Sequence, residues 1–212
     1  MNTIDFYESL KNMEERECVE KFLLFNASLV ISEAKPSATI TLKKGIGSIY
    51  DKWVKYGEDF LESINIKYIN LRECENALII LAYDERILSN YIFKEKNNSF
   101  LKKLGYSNEN NIDIYLEKLK NRYAEFKCPH ELGVFLGYPL NDVKDFMECS
   151  SKKCLACGYW RVYNDYNTAK EIFNTYDMIK EKTVNYILKG DSTYSVFCNL
   201  KNIISEFEAI SL

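Results

Sequence analysis

The chain has 212 residues and a net charge of −3 at neutral pH, its 28 basic side chains being interleaved with 31 acidic ones. That length is ample for a packed core, and a composition 47% apolar and 14% aromatic excludes a disordered chain. The charge balance lacks the basic patch that nucleic acid requires, and no run approaches the ~18 consecutive apolar residues of a membrane span.

Segments 3–12 and 14–31 pattern as helices, the second with Val19, Phe22, Leu23 and Leu29 toward one face. Pro36 forces Lys35 out of the helical region, and Ala38–Leu42 alternates as a strand does. Lys43–Gly47 follows as a loop, and residues 49–63 form a helix carrying Trp53 and Phe60. Ile66–Leu71 and Ala77–Tyr83 read as strands joined by a five-residue hairpin loop. The second is almost continuously apolar, which predicts a central strand covered on both faces. Helices are expected over 84–94, 97–104 and 111–125, the last capped by Asn111. Tyr159–Tyr163 reads as a fourth strand, with Trp160 inward. Thr168–Glu171 has the form of a capping box and opens a helix that Gly190 stops. A last apolar segment, 194–210, has no assignable partner. Together these elements predict one α+β domain over residues 1–212, a small, mainly antiparallel sheet of about four strands packed by several helices.

The only histidine, His130, stands in Cys128–Leu140, a stretch that also holds two of the three prolines and two of the eight glycines. Pro129 suits the first position of a helix. Gly137 can end that helix and Pro139 can open another. His130 and Glu131 would then lie in a first turn, where free N–H groups and the dipole attract anions. An imidazole beside a carboxylate can do acid–base work there. Equally, Glu131 can serve the dipole alone and His130 can bond a loop carbonyl.

Three blocks, Pro129–Gly133, Leu136–Val143 and Cys157–Tyr163, resemble the signature of the DUF3793 family, a bacterial and mostly clostridial family of unknown function. Ala34–Ala38 resembles its N-terminal block of small residues. The resemblance runs over nearly the whole chain in the family's order, with Cys128 standing where family members often carry an aromatic. It implies a role for His130, Glu131 and Tyr138 and names no activity. It also draws attention to Lys35 and Ser37, whose neighbourhood would let backbone approach a ligand or a strand closely.

Seven cysteines, an odd number behind an N-terminus without the basic-then-apolar pattern of an export signal, predict reduced thiols and a cytoplasmic protein. Cys154 and Cys157 form a C-x-x-C pair, with Cys149 upstream. With Cys128 and His130 they could complete a Cys3His zinc set, and a thiolate or imidazole of the Cys128–His130 segment could ligate haem iron. Buried, inert thiols are the plain alternative. Lys43–Gly47 could cradle a phosphate but carries no nucleotide fingerprint.

These readings predict a cytoplasmic ligand-binding or accessory protein with a small-molecule pocket lined by Lys35, Ser37, His130, Glu131 and Tyr138, and without nucleic-acid or membrane partners. One alternative is an enzyme using His130 as general acid–base beside Glu131. Another is a zinc or haem protein using His130, Cys128, Cys154 and Cys157.

Overall fold

The computed structural model describes residues 3–148 and 151–210. Helices α1 (Thr3–Leu10) and α2 (Glu15–Ile31) precede β1 (Ser37–Lys43). A helical segment follows, made of α3 (Ile49–Lys52), a π turn (Trp53–Gly57) and α4 (Glu58–Ser63). Strands β2 (Lys67–Cys74) and β3 (Ala77–Tyr83) lead into α5 (Glu85–Ile92), α6 (Glu95–Lys103), α7 (Ile112–Phe126), α8 (Leu132–Phe135) and α9 (Leu140–Met147). A short hairpin, β4 (Ala156–Cys157) and β5 (Arg161–Val162), comes before the two long helices α10 (Tyr166–Leu188) and α11 (Thr193–Ile210). The architecture is α+β, as the residue pattern predicts.

Strand β3 is central and pairs antiparallel with β1 on one side and β2 on the other. Its continuous apolar run has a direct cause. Successive strand side chains point to opposite faces, and here both faces are covered. Leu78, Ile80 and Ala82 join the core under α2 and α10, while Leu81 and Tyr83 join a second core formed with α5 to α9. The hairpin turn is shorter than expected because β2 runs on to Cys74. A bulge at Leu71, between the paired Asn70 and Arg72, buries its side chain in the second core.

Two expectations shift at the other end of the chain. The fourth strand is a two-residue hairpin outside the main sheet, packed on α9. The long helix begins before Thr168, because Asp165 is the cap. Its carboxylate accepts from the Thr168 N–H (3.1 Å) and from the Thr168 hydroxyl (2.8 Å), so Thr168 serves as a donor in the first turn. The apolar segment after Gly190 is helix α11, which packs on α2 and α10. Among the described residues no helix is long and apolar enough to cross a membrane.

The two cores meet where the loop entering β1 crosses the turn between α8 and α9. Pro36 lies directly on Gly137, whose φ is +78°, and a Cβ built there would sit 2.6 Å from Pro36 Cδ. Beside it the buried Ser37 hydroxyl donates to the Phe135 carbonyl at 2.8 Å. The close approach permitted by small residues at 36–38 is thus made to the α8–α9 turn. Left-handed backbone and contact both demand glycine at this point. Gly137→Ala is therefore expected to lower stability by about 2–4 kcal/mol, read as a reduced urea midpoint with an unchanged m-value.

Candidate functional site

The histidine segment is a compact turn. Lys127 closes α7 with a positive φ of 62°, and the N–H groups of Leu132 and Gly133 donate to the carbonyls of Pro129 (3.0 Å) and His130 (3.1 Å). Helix α8 is a single turn closed at Gly137, and Tyr138 N–H returns to the Gly133 carbonyl at 2.9 Å. In so tight a turn, adjacent side chains diverge. His130 is exposed and sets its ring edge-on to Phe146, with centroids 4.8 Å apart. Glu131 goes inward, only 1% exposed, where it pairs with the Arg122 guanidinium and accepts from the Tyr106 hydroxyl at 3.3 Å. Burial, reinforced by that carboxylate, holds the Tyr106 phenol well above its ordinary pKa. Glu131 is thereby committed to α7, and among the described residues no carboxylate bonds the His130 ring.

His130 stands at the mouth of a cleft of about 270 Å³ between α8, α9 and the β4–β5 hairpin. Leu132, Leu136, Val143, Tyr138, Phe146 and Trp160 supply its walls, and Gly133 a bare patch of backbone. A Cβ at Gly133 would stand 2.9 Å from a Val143 methyl. Cys128, His130 and Arg161 form the polar rim. The Arg161 guanidinium lies 5.6 Å from the centre of the Phe146 ring.

One carboxylate fixes this cleft. Asp142 is buried, and its two oxygens accept from Trp160 Nε1 (2.8 Å), Tyr163 N (3.0 Å), Asn164 N (3.1 Å) and Asn164 Nδ2 (2.7 Å). Four donors from one short segment satisfy a buried charge. They also hold the Trp160 indole against Tyr138, with ring centres 5.4 Å apart. Tyr138 is tied from another side, since the Tyr91 hydroxyl donates to its carbonyl at 2.8 Å.

Lys35 and Ser37 do not line the cleft. Ser37 is fully buried on Phe135. Lys35, 6% exposed, places its ammonium 5.1 Å from the Tyr138 ring centre and 5.9 Å from that of Tyr176. Burial, with a smaller push from the Lys180 charge, lowers its pKa to about 8. Lys180, half-buried and lying over the Phe25 ring, is likewise lowered to about 8 by burial. Of the five residues expected to share one pocket, His130 and Tyr138 meet at the cleft. Lys35 shares only the Tyr138 ring, and Ser37 and Glu131 serve packing.

The proposed zinc set is not assembled. The segment around Cys157 is extended, with Leu155 N–H donating to the Val162 carbonyl at 2.8 Å and Cys157 opposite Arg161. Cys157 lies in β4 and Cys154 precedes that strand. Cys154 donates to the Ala156 carbonyl at 3.0 Å. Cys128 stays at the cleft rim, and Cys149 lies outside the described residues. Among those residues no group of three His, Cys, Asp or Glu side chains is placed to hold a metal.

Asp142, Phe146 and Arg161 have no role in the sequence reading. Phe146 lies outside the resembling blocks, and Arg161 lies inside one without a role assigned to it. Asp142 lay within a resembling block, but its partners are some twenty residues further on. A family model described as "Protein of unknown function (DUF3793)" matches residues 23–197. No curated protein and no solved structure matches the chain.

Two outcomes test this geometry. Asp142→Ala strands four donors and frees the hairpin, so stability is expected to fall by about 3 kcal/mol, with the Trp160 indole N–H resonance displaced. Lys35 titrates near 8 in the fold against 10.5 in the ordinary state. Between those values the unfolded chain holds more protons, so stability rises with pH and the cost is largest below pH 8. Lys35→Met is expected to raise stability at pH 7 by about 2 kcal/mol, and the gain to shrink by pH 9.5, as followed by thermal melts.

Proposed function

We propose that this chain, which belongs to the DUF3793 family, is a small-molecule-binding protein whose ligand occupies the cleft between α8, α9 and the β4–β5 hairpin. The observation that carries this reading is the cleft itself, apolar and aromatic walls with a few polar groups confined to the rim, the general make-up of ligand sites. Its volume of about 270 Å³ is roughly twice that of a cavity that takes up benzene, which suits a ligand of one or two rings. Asp142 and its donors support a site formed before the ligand arrives, so little ordering is required on binding. All the wall and rim positions except Phe146 and Cys128 fall in the blocks that carry the family resemblance.

The acid–base reading of His130 has less support. A general base is usually oriented by a second group, and the adjacent carboxylate is bound to Arg122. A cytoplasmic location belongs to the same proposal, supported by the free thiols of Cys18, Cys74, Cys128, Cys154, Cys157 and Cys198.

The test is a screen of one- and two-ring fragments against nitrogen-15-labelled protein. The two indole N–H signals are built-in reporters. Trp160 lines the cleft, while Trp53 is buried in the core under α2. Fragments that bind are expected to shift Trp160 and leave Trp53 in place. Phe146→Ala, at a ring already 36% exposed, should weaken them about tenfold while the protein stays folded. If no fragment moves Trp160 selectively, the reading fails.

A further inference from the structure

The rim of the cleft is chemically lopsided. Of the five arginines, Arg16, Arg86 and Arg122 are each paired with a glutamate, and Arg72, on β2, lies away from the cleft. Arg161 has no carboxylate partner among the described residues. It lies over the Phe146 ring and hydrogen-bonds Tyr163. The single carboxylate in the cleft, Asp142, is engaged by four donors from residues 160–164, the turn of the hairpin and the segment that leaves it. His130 leans on the same Phe146 ring from the α8 side of the rim. Two nitrogen-bearing, planar side chains thus meet on one aromatic ring at the entrance of an otherwise apolar space, with no anion opposite them.

We infer that the cleft selects an aromatic monocarboxylate, its ring or rings against Trp160 and Tyr138 and its carboxylate at the mouth between Arg161 and His130. This rests on the ligand-binding reading above. A guanidinium presents a rigid fork that matches a carboxylate in two parallel hydrogen bonds. A second charge deeper in the ligand would meet leucine, valine, ring carbon and an Asp142 carboxylate already engaged by four donors, where it would be desolvated without a free partner. One charge, placed at one end of a flat apolar body, is the pattern that fits. Because Arg161 is solvent-exposed, the contribution of its charge is modest, and selectivity rather than raw affinity is the expected signature.

The experiment titrates 2-naphthoate and its neutral isostere 2-naphthamide into the labelled full chain, reading the Trp160 indole signal with Trp53 as internal control. In the wild type the carboxylate is expected to bind about three- to tenfold more tightly than the amide. Arg161→Gln should remove that difference by weakening naphthoate and leaving naphthamide unchanged, and Arg161→Lys should restore part of it. Equal binding of the two probes by the wild type, or a naphthoate affinity unaltered in Arg161→Gln, overturns the anion assignment while the cleft remains a binding site. If neither probe shifts Trp160, the assignment falls together with the reading it rests on.

Discussion

A buried carboxylate organises the part of this molecule most relevant to function. Asp142 sits near the start of α9 and draws a segment some twenty residues downstream onto that helix through four hydrogen bonds. Without it the β4–β5 hairpin keeps its two-residue ladder, weak by itself, and the packing of Tyr159 and Trp160 on α10, but loses its buried polar tie to α9. The indole of Trp160 would then lose its polar anchor, and with it one wall of the cleft. An interior charge is costly unless every lone pair is engaged, so the interaction is close to all-or-none. It sets both the place of the hairpin and the shape of the space beneath it.

The same logic of satisfied polar groups explains why neighbouring residues in the histidine segment have different fates. Glu131 can be buried because Arg122 and Tyr106 meet it. His130 has no such partner waiting inside and stays at the surface on Phe146. Lys35 is the exception. Its ammonium is inside against two ring faces, and burial, with the Lys180 charge nearby, accounts for the fall in its pKa.

Backbone features were largely legible in the residues, and side-chain destinations were not. The unbroken apolar run of β3 declared a strand covered on both faces. Gly137 and Pro139 declared a turn between two short helices. Asn111 declared a cap, and its side-chain Oδ1 does accept from Asp113 N–H at 2.9 Å. These signals are local. The partners of Asp142 and Glu131 lie on other elements, and no spacing rule links them. The cysteine pair stands apart from Cys128 and His130 for a related reason: no spacing rule says where a C-x-x-C segment lies relative to a distant residue, and among the described residues no group of three ligands is gathered. The cap of α10 turned on competition, since both Asp165 and Thr168 are competent and the carboxylate accepts from the hydroxyl.

The cleft also occupies a particular place in the architecture. Leu132, Leu136 and Val143 belong to the core on one side of the sheet, Trp160 belongs to the core on the other, and Tyr138 packs against both. The cleft is therefore a seam, open to each hydrophobic layer. A body seated there would touch both layers at once and act as a non-covalent cross-link between them. Separating the layers would require expelling it, so occupancy would tie the melting of one half of the protein to that of the other.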